Sequence, residues 1–150
     1  MFSGVCRRFA LLFTQASKNF SQHTQAREMK TAKEYLDAAN AAVPRISAEE
    51  AISQHGKGVF VDVRDSAGIA DTGTIAGAHR IPRGMIEFVA DPATPFYNDA
   101  LQKDTPLFLV CGAGGQAALA GKTLSEMGYT SVTNVGGIGE WKEAGGPMEG

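Results

Sequence analysis

The hydrophobic positions of the chain alternate between short apolar runs and stretches with helical spacing. Mostly apolar runs of four or five residues predict buried strands at 59–63, 107–110 and 132–135. The best helical pattern covers residues 116–127 and is followed by Gly128, a residue type that ends helices. Strands that alternate with helices are typical of a parallel α/β sheet.

Shorter segments complete this pattern. A helix is predicted over residues 31–42, and Ser47-Ala48-Glu49-Glu50 is a capping box that predicts the start of a second one. Residues 64–78, which are polar and contain glycine, are predicted to form a long loop. A further helical stretch is predicted over residues 84–89.

Cys111 ends one of the predicted strands, and a glycine-rich turn, Gly112-Ala113-Gly114-Gly115-Gln116, follows it into the best helix. Glycines let successive backbone N–H groups turn inward, and such a ring at a helix N-terminus binds anions. A thiol inside the ring ionises more readily than a free cysteine. The pattern therefore predicts a reactive thiolate and an oxyanionic or sulfur-bearing reaction partner. The alternative is a buried core thiol, since cysteine is among the most buried residue types.

Composition and charge narrow the functional class. A chain of 150 residues, of which 43% are hydrophobic, suits one domain with a proper core. The net charge of −2 gives no indication of nucleic-acid binding, and no apolar run is long enough to cross a membrane. Two cysteines provide no disulfide framework. Together with three scattered histidines they show no metal-ligand spacing, so we expect neither a metal nor another cofactor.

The N-terminal segment differs from the rest of the chain. Residues 1–27 contain basic but no acidic residues, and their apolar positions recur at helical spacing, which is typical of a mitochondrial transit peptide. A disordered tail, or a start codon placed too early with Met29 as the true beginning, are the alternatives. We therefore predict a basic tail over 1–28 and a domain over 29–150. The expected location is mitochondrial if the tail is a transit peptide, and otherwise cytoplasmic.

Three ordered stretches between Pro44 and Glu149 resemble the single-domain rhodaneses, a family of sulfurtransferases. They are Val61-Asp62-Val63-Arg64-Asp65 with the Gly73-Thr74-Ile75-Ala76-Gly77-Ala78 turn, the loop from Cys111 to Gln116 with its helix, and Val135-Gly136-Gly137 with Trp141 and Gly145-Gly146-Pro147. The resemblance implies a rhodanese-like three-layer α/β fold, in which helices flank a central, mostly parallel sheet.

The resemblance also implies an activity. Cys111 would take sulfane sulfur from a small anionic donor such as thiosulfate, form a persulfide, and pass the sulfur to cyanide or a thiol. The loop residues Gly112, Ala113, Gly114, Gly115 and Gln116 would bind the donor. A six-residue loop goes with sulfur in this superfamily, whereas the phosphatase and arsenate reductase relatives have one residue more and a closing arginine. A mercaptopyruvate-type donor, or a non-enzymatic sulfur carrier that receives persulfide within a protein relay, are the alternatives.

The loop departs from the family pattern at its end, because Gln116 stands where many members have arginine. Losing a charged hydrogen bond costs about 1–3 kcal/mol, so we expect thiosulfate to bind roughly tenfold to a hundredfold more weakly. Arg83 is the candidate to hold the anionic group of the donor instead. The alternative is that Arg83 is an ordinary surface arginine.

Other conspicuous residues are predicted to be structural. Asp62 and Arg64 lie at the end of a buried strand and are expected to form an internal ion pair that holds the following loop. Thr74 replaces a histidine that is frequent in the family and is expected to serve structure alone. The larger aromatic residues are expected in the core: Trp141 and the phenylalanines at 60, 88 and 108.

Overall fold

Strands and helices alternate in the computed structural model, which describes residues 28–150. The strands are β1 Val59–Asp62, β2 Thr74–Ile75, β3 His79–Arg80, β4 Leu107–Cys111, β5 Val132–Gly137 and β6 Met148–Glu149. The helices are α1 Ala32–Ala42, α2 Ala48–Ser53, α3 Ser66–Thr72, α4 Ile86–Val89, α5 Gly115–Glu126 and α6 Ile138–Glu143, and a 3-10 turn covers Arg83–Met85. Thr31–Gly150 forms one compact unit. The predicted tail lies outside the described residues, apart from its last position.

The central sheet is parallel and has the strand order β3-β1-β4-β5. Asp62 of β1 pairs with Val110 of β4 on one side and with Arg80 of β3 on the other, and Cys111 of β4 pairs with Gly137 of β5. Because the strands are parallel, their carboxyl ends meet at one edge of the sheet. The strands β2 and β6 form a separate antiparallel pair.

Helices cover both faces of this sheet, as the alternation of side chains along β4 shows. Leu107, Leu109 and Cys111 belong to the core cluster that includes residues of α4 and α5. Phe108 and Val110 belong to the other cluster, which includes residues of α2 and α6. Successive side chains of a strand point to opposite faces, so the two clusters fill the two sides of one sheet. The predicted three-layer α/β fold is confirmed.

The helix termini follow from local sequence. The helix predicted over 31–42 is confirmed, since Thr31 and Glu34 form a reciprocal capping box at the start of α1. The Ser47 side chain caps α2 by accepting a hydrogen bond from the Glu50 amide at 3.2 Å. The strand predicted from residue 132 continues to Gly137, two residues further than expected.

Two sequence-based predictions are wrong. Residues 64–78 are not a continuous loop, because they contain α3, whose first turn is capped by the Asp65 side chain at 2.8 Å from the Gly68 amide, and β2. Phe88 is not a core residue, since it is 50% exposed and meets Phe96 edge to face on the surface. The prediction of core positions holds for the other three aromatic residues, which are all buried.

None of the helices in the described part of the chain combines the length and the apolar character that a membrane span requires.

Candidate functional site

Cys111 is the last residue of β4, at the sheet edge where the parallel strands end. Only 2% of the residue is exposed. The Gly114 amide donates a hydrogen bond to its Sγ atom at 3.0 Å. Among residues 28–150, Gly114 is the residue whose backbone amide donates to this sulfur. The thiol therefore lies at the junction of the core and the loop, with a polar contact on its loop side.

The loop turns at Gly114, which is also the residue before the first turn of α5. Its φ of 93° lies in the left-handed region, which glycine adopts without the penalty that a Cβ atom brings. A Cβ atom here would in addition lie 2.7 Å from Nη1 of Arg45. The backbone angle therefore favours glycine at this position, and a side chain would also displace the end of Arg45.

Asn134 supports the loop from the neighbouring strand β5. Its side-chain amide donates to the carbonyl oxygen of Gly114 at 2.9 Å, and its own oxygen accepts from the Gly136 amide at 2.8 Å. Asn134 is 1% exposed. A buried amide whose two ends are both paired fixes the groups that it joins, so Asn134 fixes the direction of the Gly114 carbonyl.

Arg45 contacts the loop from the segment before α2. Its Nη1 donates to the carbonyl oxygen of Ala113 at 3.4 Å, a long hydrogen bond, and its Nη2 binds both carboxylate oxygens of Glu140 at 3.2 and 3.0 Å. Glu140 also accepts from the Gly137 amide at 3.1 Å. That amide and then the Arg45 guanidinium hold the pKa of the Glu140 carboxyl below its ordinary value.

The end of β5 packs directly under the loop. A Cβ atom on Gly137 would lie 2.6 Å from the carbonyl oxygen of Gly112, so this strand end can approach the loop only as glycine. The loop is thus held by main-chain packing on one side and by the side chains of Asn134 and Arg45 on the other.

The structure places the predicted loop residues at different depths. Gly114 is buried and Gly115 is half-buried, whereas the exposed members are Gly112, Ala113 and Gln116. The neutral side chain at the end of the loop therefore faces solvent.

Arg83 lies against the helix that follows the loop. Its Nη2 donates to Oγ1 of Thr123 on α5 at 3.0 Å, and its Nη1 forms an ion pair with Glu87 at 3.0 Å. The Arg83 side chain is 29% exposed. Its guanidinium is thus paired with groups of α4 and α5, and its role toward a donor remains a prediction.

The predicted ion pair at the end of β1 is confirmed as an internal one. Arg64 Nη2 lies 2.6 Å from Asp62 Oδ2, with side-chain exposures of 9% and 0%. Arg64 also donates to the carbonyl oxygen of Gly73 at 2.7 Å, and the Thr74 hydroxyl donates to Asp62 at 2.7 Å. The contacts of this network join the end of β1 to Gly73 and to Thr74 of β2, so the network has a structural role. The structural role expected of Thr74 agrees with this contact.

Three residues around the loop were not predicted from the sequence: Arg45, Asn134 and Glu140. Asn134 could have been noticed, because a polar residue in the middle of an apolar strand needs a buried partner. Arg45 and Glu140 carry no such signal, since they are 95 residues apart and only the fold brings them together.

No group of three or more histidine, cysteine, aspartate or glutamate side chains within residues 28–150 is arranged to hold a metal ion.

A cysteine at the carboxyl end of a parallel strand, followed by a glycine-bearing turn into a helix, defines a class of thiol-bearing α/β domains. Within that class, residues 47–144 match the family model of the rhodanese-like domain. Because the match covers more than half of the chain, the chain belongs to the rhodanese-like domain family. The expected family is thereby confirmed.

Individual relatives add detail. Thiosulfate sulfurtransferase PspE of Escherichia coli (strain K12) is 38% identical over 64 residues, a match that covers 43% of this chain and only 56% of PspE. A Rhodopseudomonas palustris protein of unknown function, described as a possible tyrosine phosphatase, is 36% identical with a TM-score of 0.76, and the match covers 81% of this chain and 96% of that one. The polysulfide-sulfur transferase homodimer of Wolinella succinogenes is 28% identical with a TM-score of 0.61, over 78% and 85% of the two chains.

Proposed function

We propose that this domain is a sulfurtransferase that carries sulfane sulfur on Cys111, from thiosulfate or a similar donor to cyanide or a thiol. The observation that carries the proposal is the contact of 3.0 Å between the Gly114 amide and Cys111 Sγ in a rhodanese-like domain. The amide donates directly to the sulfur atom that would attack the donor as a thiolate. Two of the similar proteins, PspE and the Wolinella protein, are sulfur transferases.

In the first step the Cys111 thiolate attacks the outer sulfur of thiosulfate. A bond forms between Sγ and that sulfur while the sulfur–sulfur bond of the donor breaks, and its electron pair leaves with sulfite. The product is a Cys111 persulfide. The step needs no further oxidant or reductant, because the transferred sulfur is already at the sulfane oxidation level in the donor.

In the second step the acceptor attacks the outer sulfur of the persulfide. The sulfur–sulfur bond on Cys111 breaks, and its electron pair returns to Sγ as the thiolate. Cyanide would leave as thiocyanate, and a thiol would leave as a persulfide. The amides of Gly112, Ala113, Gly114, Gly115 and Gln116 are proposed to stabilise the negative charge during both steps.

The burial of Cys111 bears on the choice of donor. With only 2% of the residue exposed, a broad protein surface would not reach the sulfur directly. This favours a small anionic donor such as thiosulfate. A relay protein would have to present its sulfur on a narrow extended segment.

Arg83 is proposed to help hold the anionic group of the donor, because Gln116 offers no charge at the end of the loop. For this the guanidinium has to leave Thr123, which lies about two turns along α5 from the loop. Arg83→Ala is expected to raise the KM for thiosulfate, by up to about tenfold for one charged contact. Glu87→Gln is the matched control, since it removes the partner of Arg83 and keeps the guanidinium. An unchanged KM in Arg83→Ala would show that Arg83 is an ordinary surface residue.

Two other activities compete with this proposal. The Rhodopseudomonas relative is described as a possible tyrosine phosphatase, but the loop of this chain ends in the neutral and exposed Gln116. A phosphate group would find no guanidinium there to bind it at two points. A non-enzymatic sulfur carrier would use Cys111 in the same way and would differ only in having no turnover with small acceptors.

Turnover assays separate these functions. The protein is incubated with thiosulfate and cyanide, and the formation of thiocyanate is followed. We expect activity in the wild type, none in Cys111→Ser, and full activity in the matched thiol control Cys6→Ser. 3-Mercaptopyruvate as the donor and an aryl phosphate as the substrate serve as parallel arms. Hydrolysis of the aryl phosphate without thiocyanate formation would refute the sulfurtransferase proposal.

We also propose a mitochondrial location, which the basic and acid-free composition of residues 1–27 supports. Residues 1–28 fused to a fluorescent protein should carry it into mitochondria. Diffuse cytoplasmic fluorescence would refute this part of the proposal.

A further inference from the structure

One peptide group of the loop joins a cation to the reactive sulfur. The carbonyl oxygen of Ala113 accepts from Arg45 Nη1 at 3.4 Å, and the N–H of Gly114, which belongs to the same peptide group, donates to Cys111 Sγ at 3.0 Å. A peptide group is planar, with its C=O and N–H on opposite sides. A residue that fixes the oxygen therefore also fixes the direction in which the N–H points.

Arg45 is itself held at both ends. Its backbone forms a β-bridge with Asn134, flanked by a hydrogen bond of 3.1 Å from the Ile46 amide to the Asn134 carbonyl. Its guanidinium is bound by the two oxygens of Glu140. Although 46% of the Arg45 side chain is exposed, it is therefore not a freely moving surface arginine.

We propose that Arg45 is a positioning residue for Cys111, which acts through the Ala113–Gly114 peptide group and supplies, from outside the loop, the positive charge that the loop lacks at Gln116. A hydrogen bond to a carbonyl polarises the peptide group and strengthens the N–H on its other side. A cation on the carbonyl side also stabilises negative charge on the group that the N–H binds while that group reacts. A role of Arg45 in catalysis rests on the proposed function, whereas its effect on the reactivity of the Cys111 thiol does not.

The charged groups around this peptide group come from different elements. Arg45 lies in the segment before α2, and Glu140 of α6 opposes it with a negative charge. Arg83 lies beside Thr123, further along α5, where it is paired with Glu87. Arg45 is thus the cation that directly contacts the loop carbonyl.

The test is the rate at which iodoacetamide alkylates Cys111, measured over a range of pH and resolved by mass spectrometry of the Cys111 peptide. No sulfur donor is present. We expect Arg45→Gln to slow alkylation at neutral pH by about threefold, the size expected for one partly solvated cation. Arg45→Lys should restore most of the rate.

Lys122→Gln is the matched control, since it removes the cation of another ion pair on α5 about two turns from the loop. It should leave the alkylation profile unchanged. An Arg45→Gln profile identical to that of the wild type would overturn the proposal and leave Arg45 a purely structural residue.

A second variant keeps the proposal testable if Arg45→Gln does not fold. Glu140→Gln removes the opposing negative charge and keeps a side-chain oxygen that can still accept from the Arg45 guanidinium, so the cation stays on the Ala113 carbonyl and alkylation should not become slower. A decrease in this variant would overturn the proposal. The two proposals can fail separately. If the variants show the expected alkylation rates but the protein never forms thiocyanate, the sulfurtransferase function is refuted and the role of Arg45 is still supported.

Discussion

The ends of β1 and β4 lie side by side in the sheet, yet they use polar groups in opposite ways. At the end of β1, Asp62 and Arg64 bring formal charges, and the fold encloses both in an ion pair of 2.6 Å. At the end of β4, Cys111 brings a thiol, and its partner is the main-chain amide of Gly114. The charged strand end is closed, whereas the glycine-rich loop after β4 is partly exposed.

The difference shows that charge at a strand end does not by itself indicate a functional site. A buried ion pair whose hydrogen bonds are all made to the protein has nothing left to offer a ligand. A loop of small residues instead presents backbone donors, which can bind an anion without a charged side chain. We therefore expect the reaction to take place at the end of β4, which is the strand end with fewer charged side chains of its own.

Asp62→Ala provides the strongest test of the closed strand end. Removing one partner leaves the Arg64 guanidinium buried without its counter-charge, which costs about 3–5 kcal/mol of unfolding free energy. Urea unfolding would measure this loss. Asp37→Ala is the control, because Asp37 belongs to an exposed pair with Lys33 and should cost at most about 1 kcal/mol. Equal losses in the two variants would contradict the assignment of the network to structure.

Gly114→Ala tests the loop after β4. A side chain at a φ of 93° costs about 1–2 kcal/mol, and the new methyl group would also displace Arg45. We expect this loss in urea unfolding together with slower alkylation of Cys111. Gly112→Ala is the control for stability, since a Cβ atom there meets no atom within 4 Å. A stable Gly114→Ala variant with unchanged thiol reactivity would show that the loop does not depend on this geometry.

Glu140→Gln gives the smallest expected effect and compares an exposed ion pair with the buried one. The Gly137 amide and Arg45 lower the pKa of Glu140 from 4.5. Its contribution to stability is therefore present above the pKa of the unfolded chain and is lost as pH falls through the lower folded pKa. Thermal unfolding should show a deficit in the variant of less than about 1 kcal/mol at neutral pH that disappears in acid. A deficit that grows in acid would contradict this sign.

The parallel sheet could be predicted from the sequence, because its central strands are short apolar runs. Such runs can be recognised without knowing where the strands lie in the fold. It also predicted the place of Cys111, since the glycine-rich turn follows the strand directly along the chain. The Asp62–Arg64 pair was predictable for the same reason, because its members are two residues apart at the end of a buried strand. All of these features depend on local spacing.

The features that could not be predicted depend on distant contacts or on short elements. The helix α3 has seven residues and buries only Ile69 among them, so it has no apolar stripe to recognise. Phe88 lies in the four-residue helix α4, where no period can be defined, and its exposure follows from the packing of that turn. Arg45 meets Glu140 only in the folded chain.

The most direct test of the account is the intact mass of the protein after incubation with thiosulfate and removal of the donor. The account predicts a gain of one sulfur atom, located on the Cys111 peptide and lost again when cyanide is added. Cys111→Ser should show no gain, and Cys6→Ser should behave like the wild type. A wild-type protein that gains no sulfur from any sulfane donor, or a gain that persists in Cys111→Ser, would contradict it.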